Sequence, residues 1–474
     1  MKASNKMRNK RRRTRRPIMR EIQSINPFTE DVVWSHELLS PEDADQKVDL
    51  SFEVQKPWAR LEESDRLGCI QNLGNLLLEK KSEFARVITF EMGKTFASAL
   101  AEVEKSANMF LYLSEHFPKW NSYNEIEMPS GKHRVTFQPL GVTLGIMPWN
   151  FPLWQAARFA APSLALGNSV LLKPASNVFQ SSKLFEELAL EAGIPEGVYQ
   201  HLSLDSRHMD HVIQNQKLAG VSLTGSASAG KKVGEIAGAQ MKKMVFELGG
   251  SDPYIIMEDA DLDLAASKCA ESRLLNSGQS CICAKRFIVH EKVKEEFLEL
   301  FVKEMKHKTF GDPMEESTGM GPMARKDLRL DLHDQVKRAV KAGGEILTGG
   351  SIPDRHGYFY PPTVLVDVDP QSSIYQQEFF GPVALVNSYS NEDEAFELAN
   401  STPFGLGSGI FSHDRERAGH LAETRIHSGM SVINDYLRSD VRLPFGGVKD
   451  SGFGRELSPF GIHEFANVKT VSIY

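Results

Sequence analysis

From residue 21 onward, short apolar runs alternate with longer stretches of helical spacing. "GVTLGIM" (141–147), "SVLLKP" (169–174), "AGVSLTG" (219–225) and "KMVFELGG" (243–250) read as buried strands, because largely apolar runs of this length suit strands covered on both faces. Between them, "LWQAARFAAPSLALG", "FQSSKLFEELALEAG" and "SASAGKKVGEIAGAQ" place apolar residues at helical intervals, and glycine closes the first two. The alternation predicts βαβ units, a parallel sheet and ligands at the carboxyl ends of its strands. A second alternating block begins near "DPYIIMEDAD" (252–261) and runs to about residue 440, while the segment from Pro41 to about residue 120 reads as mainly helical. The predicted fold class is α/β, with two parallel-sheet domains.

Composition narrows the setting. A chain of 474 residues exceeds one small core and allows two or three domains. No uncharged apolar run is long enough to span a bilayer, so no membrane association is expected. Four cysteines (Cys69, Cys269, Cys281, Cys283) are too few for a disulfide framework at this length, which favours a reducing compartment. The net charge of −7 conceals a basic arm: residues 1–20 hold ten Lys or Arg and no acid, leaving about −17 for the rest. The arm lacks the apolar face of a transit peptide and the apolar core of a secretory signal. It reads as a disordered extension, upstream of a possible start at Met19, rather than as a nucleic-acid-binding arm.

Three motifs promise chemistry and fail on inspection. "GSASAGKK" (225–232) nearly spells a phosphate-cradling P-loop, but its last position holds Lys232 where a hydroxyl must bind Mg²⁺. "GMGPMA" (319–324) has spaced glycines without a convincing strand before them, and Pro322 removes a needed backbone donor. Zinc at Cys281 and Cys283 lacks two further ligands at a matching spacing, so no metal is expected.

A cysteine nucleophile fits better. It needs a lowered pKa or a nearby base, donors for an oxyanion, and a means of resolving the covalent intermediate. "FELGGSDP" (246–253) places Glu247 at a strand end before two glycines, and "MPWNFP" (147–152) places Asn150 just after another strand. Both are positions where an α/β sheet displays its chemistry.

With "INPFTE" (25–30), "FEMGK" (90–94), "LLKPAS" (171–176), "LTGSASAG" (223–230), "GQSC", "EFFGPV" (378–383) and "PFGGVKDSGFGRE" (444–456), the chain resembles the NAD(P)-dependent aldehyde dehydrogenases from residue 25 to its end. The closing stretch is most similar to the succinate-semialdehyde dehydrogenase branch. The resemblance implies that Cys281, not Cys283, adds to the aldehyde. It further implies that Asn150 and the Cys281 N–H hold the oxyanion, and that Glu247 activates the water that hydrolyses the thioester. Glu247 also speaks against the CoA-acylating members, which lack this base. Substrates implied are succinate semialdehyde or, as alternatives, glutarate semialdehyde and uncharged aliphatic aldehydes; a non-catalytic structural protein of the same fold is the reading from another class.

For the cofactor, NAD or NADP, the resemblance implies Trp149, Lys173, Ser176, Gly225, Ser226, Gly230, Glu378 and Phe380. Strict NAD users place Glu three residues after the Lys that here is Lys173. Ser176 stands there instead, so a 2′-phosphate should be tolerated. Arg158, eight residues after Asn150, and Ser439 match a carboxylate clamp, whereas a second Arg used by some members is Leu275 here. The implied domains are a cofactor domain (21–122 and 140–248), a catalytic domain (249–442) and an oligomerisation element (123–139 and 456–474), in a cytoplasmic homodimer or homotetramer.

Overall fold

The computed structural model describes residues 21–474, and the basic arm at 1–20 lies outside them. The first α/β unit is built on a six-stranded sheet whose order is Gly452–Phe453, Lys243–Glu247, Leu218–Thr224, Val142–Met147, Ser169–Pro174, Tyr199–His201. All pairs are parallel except the first, where the late segment Gly452–Phe453 runs antiparallel beside Lys243–Glu247. The predicted strands agree within a residue or two, except that "KMVFELGG" stops at Glu247 and its glycines form a loop. Val142–Met147 has neighbours on both sides that follow it in the chain, so the connections diverge there. The crevice beyond its carboxyl end is where such sheets receive ligands.

The second unit has a seven-stranded sheet in the order Glu345–Thr348, Thr363–Val366, Val383–Tyr389, Ala284–His290, Asp252–Ile256, Gly409–Phe411, Val432–Ile433, parallel except at the Glu345–Thr348 edge. Only four residues separate Glu247, which ends a strand of the first sheet, from Asp252, which begins one of the second. So short a crossing makes the carboxyl ends of one sheet face the amino ends of the other. The expectation of ligands at carboxyl ends therefore holds only for the first sheet. In the second, the segments of interest precede their strands: Cys281 before Ala284–His290, Glu378 before Val383–Tyr389.

The helices Pro41–Arg60, Glu63–Glu79, Lys81–Met92 and Phe96–Trp120 share one apolar core with the first sheet. A third, antiparallel sheet joins Asn124–Ile126, Lys132–Pro139 and Ala466–Ile473. The proposed boundary at 456 is thus too early. Residues 456–465 pack on the first unit, where Phe465 meets Phe159 edge-on at 5.6 Å and its carbonyl accepts from Asn168 Nδ2. Residues 443–455, assigned to no domain above, return to the first unit, where Gly452–Phe453 forms the antiparallel edge of its sheet.

The helix Pro152–Leu166 follows the Asn150 turn. Pro152 at its first position presets φ, and Gly167 closes it at φ +96°. Its N-cap Phe151 offers no side-chain acceptor. The orphan N–H groups of Leu153 and Trp154 instead donate to Glu102 Oε1, at 2.9 and 3.1 Å, from the Phe96–Trp120 helix. Glu102 Oε2 pairs with buried Lys94, whose ammonium sits 3.9 Å from the Phe151 ring centre. Glu102→Ala would leave a buried cation unpaired and two helix donors unsatisfied, so unfolding in urea should show a loss of about 3–5 kcal/mol. A loss within experimental error would show that the pair is not what fixes this helix.

Candidate active site

The Asn150 turn touches the cysteine loop directly. Asn150 is buried; its Nδ2 donates to the Gln279 carbonyl at 3.1 Å, and its own carbonyl accepts from Asn276 Nδ2 at 2.9 Å. A carboxamide nitrogen carries two hydrogens, so one donor remains after the bond to Gln279.

The cysteine loop is held in an unusual shape. Asn276, Ser277 and Gly278 all adopt positive φ (54°, 56° and 73°). Gly278 is required twice over, since a Cβ there would lie 2.3 Å from the backbone of Gly381. Two buried cations tie the loop's carbonyls. Lys285 Nζ donates to Ser280 O (3.1 Å), Cys281 O (2.6 Å) and Cys283 O (3.3 Å), and Arg273 donates to Gly278 O and Ala284 O. Cys281 is partly buried and Cys283 fully so; both thiols are free. Burial pushes the Cys281 thiol up to about 12, against the pull of Arg158 and Lys285. Among the described residues no three His, Cys, Asp or Glu side chains group as metal ligands.

Glu247 ends its strand inside the cleft, and neither carboxylate oxygen has a hydrogen-bond partner among the described residues. Gly446, from the "PFGG" turn, lies so close that a Cβ would come within 2.7 Å of Oε1. Burial raises Glu247 well above the ordinary carboxylate range; the charge of Glu456 adds to this, and Arg158 opposes it. Arg158 is not a surface residue. It is 2% exposed, with Nε 2.7 Å from Glu456 Oε2, one terminal nitrogen on Gln155, and the guanidinium 4.3 Å from the Phe445 ring centre.

Two cavities meet at Cys281. One, about 310 Å³, is lined by Lys105, Trp154, Arg158, Leu275, Ser439 and Cys281 among others. The other, about 230 Å³, is lined by Trp149, Asn150, Gly225, Glu247, Phe380 and Cys281 among others. Trp149 and Phe380 meet edge-on at 5.7 Å, bridging the two units across the second cavity. Glu378 also reaches this wall, with Oε1 accepting from Gly250 N at 3.2 Å and pairing with Lys285 at 3.4 Å. Glu378 is therefore already engaged in joining two loops.

The remaining cofactor candidates fall less evenly. Ser226 caps the Ala227–Ala239 helix, accepting from Ala229 N, and stands with Gly225 in the cavity wall. Gly230, named for the cofactor, is also tightly packed: a Cβ there would lie 2.5 Å from Leu248 Cδ1, so its smallness serves helix-to-loop packing. Lys173 and Ser176 sit at the end of the adjacent strand and in the turn after it, outside that cavity's lining. Burial lowers Lys173 to about 8, with Asp205 partly offsetting it, and Lys173 makes no ion pair among the described residues.

Sequence reasoning gave no role to Lys285, Arg273, Glu456 or Lys105. Glu456 closes the quoted "PFGGVKDSGFGRE" motif and Lys285 follows Cys281 by four residues, but nothing in their spacing says which carbonyl or cation they meet. Arg273 and Lys105 carried no signal at all.

The chain matches the model described as "Aldehyde dehydrogenase family" over residues 15–471. It is 42% identical over 448 residues to "Succinate semialdehyde dehydrogenase [NAD(P)+] Sad" of Escherichia coli K12, covering 94% of this chain and 97% of that protein. It is 41% identical over 455 residues to "Succinate-semialdehyde dehydrogenase [NADP(+)]" of Deinococcus radiodurans, covering 96% and 95%. Among solved structures, the succinic semialdehyde dehydrogenase of Streptococcus pyogenes in complex with NADP+ superposes with a TM-score of 0.93 at 36% identity, covering 95% and 99%.

A buried thiol held near 12 is almost wholly protonated at neutral pH. Alkylation of Cys281 by iodoacetamide in the free protein should accelerate about tenfold per pH unit between pH 7 and 10. Peptide mass spectrometry follows it site by site. A plateau at neutral pH would mean a thiolate stabilised by groups other than these.

Proposed function

Since the chain belongs to the aldehyde dehydrogenase family, we propose that this NAD(P)-dependent enzyme oxidises succinate semialdehyde to succinate, with Cys281 as nucleophile. The observation that carries the reading is the position of Cys281 in the walls of both cavities, so that an aldehyde from one side and a cofactor from the other meet at one sulfur. Glutarate semialdehyde and uncharged aliphatic aldehydes are the alternatives. A non-catalytic role has no support, because Cys281, Asn150 and Glu247 are assembled together.

The residues suit the cofactor. The second cavity is walled by Trp149, Phe380 and the Gly225–Ser226 helix start, and it holds orphan polar atoms at Asn150 Oδ1 and Thr224 Oγ1. Lys173, a buried cation without an ion-pair partner among the described residues, and the hydroxyl of Ser176 suit an added phosphate. When bound, the nicotinamide supplies a hydride acceptor.

In the proposed mechanism the Cys281 thiol gives up its proton to solvent, its sulfur adds to the aldehyde carbon and the carbonyl oxygen becomes an oxyanion. The free Asn150 amide hydrogen and the Cys281 N–H would hold it. Loss of hydride from that carbon leaves a thioester on Cys281. Glu247 takes a proton from water, which attacks the thioester and releases the acid and the thiol. Burial raises the Glu247 carboxyl, so the base form, and with it deacylation, gains as pH rises.

The three-stranded sheet and its flanking loop support a homodimer or homotetramer, for they leave Tyr123, Ile126, Met128, Val468 and Ile473 exposed. Four free thiols suit the cytoplasm, and among the described residues no helix is long and apolar enough to cross a membrane.

Purified protein offered succinate semialdehyde, glutarate semialdehyde and butanal with each cofactor should form NAD(P)H fastest per unit kcat/KM with succinate semialdehyde, and with NADP as well as NAD. Absence of reduced nucleotide with every aldehyde would defeat the reading. In Glu247→Gln, a single-turnover burst of NAD(P)H with negligible steady-state rate is expected. If the burst vanished too, Glu247 would be activating the thiol instead.

A further inference from the structure

The cavity that opens on Cys281 contains a cation that no motif announced. Lys105 lies on the Phe96–Trp120 helix, three residues beyond Glu102, which places it one turn along and beside the Trp154 ring. Its ammonium is 4.5 Å from that ring's centre and donates to Ser439 Oγ at 2.7 Å. Ser439 is neutral, and Lys105 forms no ion pair within 4 Å among the described residues. An ammonium has three donors, so two remain after Ser439.

Arg158 differs. Its Nε lies 2.7 Å from the Glu456 carboxylate and a terminal nitrogen donates to Gln155, so its charge is already matched even though Nε itself makes no hydrogen bond. Leu275, at the position where some relatives carry a second Arg, lines the same cavity and contributes no charge. Of the cations in this wall, Lys105 is the one whose charge is least compensated.

We propose that Lys105, with Ser439, forms the second arm of the carboxylate clamp and sets the preference for acidic over neutral aldehydes. This rests on the reading of succinate semialdehyde as substrate. The carboxylate would replace the missing counter-charge beside Lys105, restoring in the complex what burial withholds in the free protein. Arg158 keeps a double duty, since it also draws down Glu247 through its charge. Replacing Arg158 therefore disturbs the chemistry for every aldehyde, which makes Lys105 the cleaner probe of acid recognition.

The clamp should be sensitive to alkaline pH. Burial and the neighbouring Arg158 lower Lys105 to about 8, while Asp440 and Glu102 raise it. These are the charged groups facing it from the Pro152–Leu166 helix, the 439–440 loop and its own helix. Raising pH through 8 removes the ammonium charge and weakens the clamp. Cys281 and Glu247 titrate as well, but they act on all aldehydes, so they cancel in a ratio of kcat/KM for succinate semialdehyde to that for butanal.

The test measures this ratio from pH 7 to 9.5 in wild type, Lys105→Met, Lys105→Arg and Ser439→Ala. A charged hydrogen bond corresponds to about ten- to a hundredfold, so Lys105→Met should lower the ratio at pH 7 by that factor and abolish its pH dependence. In wild type the ratio should fall above pH 8; in Lys105→Arg, whose charge persists, it should stay flat. If Lys105→Met proves unstable, the contrast between wild-type and Lys105→Arg profiles decides alone. A ratio unmoved in Lys105→Met but lowered in Ser439→Ala overturns the role of Lys105 and leaves the substrate reading standing. A wild-type ratio near one, unmoved in every variant, overturns the substrate reading itself.

Discussion

The architecture turns on the four-residue passage from Glu247 to Asp252. A chain that leaves one parallel sheet and enters another within so few residues cannot reverse direction by a helix. The two sheets must therefore confront each other end to end. That places the loops after Met147, Thr224 and Glu247 opposite the loops before Ala284 and Val383. Gly249 and Gly250 make this passable: a Cβ on Gly249 would lie 2.4 Å from Glu378 Oε2, and the Gly250 N–H bonds to the same side chain. The confrontation is what brings Cys281, Asn150 and Glu247 into one cleft.

The groups in this cleft are buried, and burial governs their electrostatics. Desolvation raises the Cys281 thiol and the Glu247 carboxyl and lowers the Lys105 and Lys173 ammonium groups, in each case disfavouring the charged form. The structure answers with partners at some sites: Lys94 with Glu102, Arg158 with Glu456, Lys285 with loop carbonyls and Glu378. It leaves others uncompensated, and of these Cys281, Glu247 and Lys105 line the cavities. Groups whose charge is poorly supported by the protein are the ones for which a charged ligand or reaction intermediate makes the largest difference.

The same economy of space explains why one side chain serves several parts. Glu102 caps the helix behind Asn150 and neutralises Lys94. Arg158 packs on Phe445, pairs with Glu456 and tempers Glu247, in addition to lining the cavity. A motif match assigns a residue one role; the packing reveals the others. Gly230, named for the cofactor on the motif, must in addition be small for the sake of Leu248.

What the sequence alone determined was local. Apolar runs marked most of the strands, Gly167 marked a helix's end, and the order of motifs identified the family and pointed to Cys281, Glu247 and Asn150 as candidates. These signals survive in one dimension because hydrogen-bonded elements and tight turns constrain residues near one another in the chain. The tertiary structure decided what depends on distant partners. It set which end of the second sheet faces the cleft, the return of residues 443–465 to the first unit, and the clasp of Lys285 on the cysteine loop. It also set the meeting of Lys105 with Ser439 across 334 positions of sequence. No periodicity encodes such a contact, because it exists only once burial has fixed both side chains against the same apolar wall.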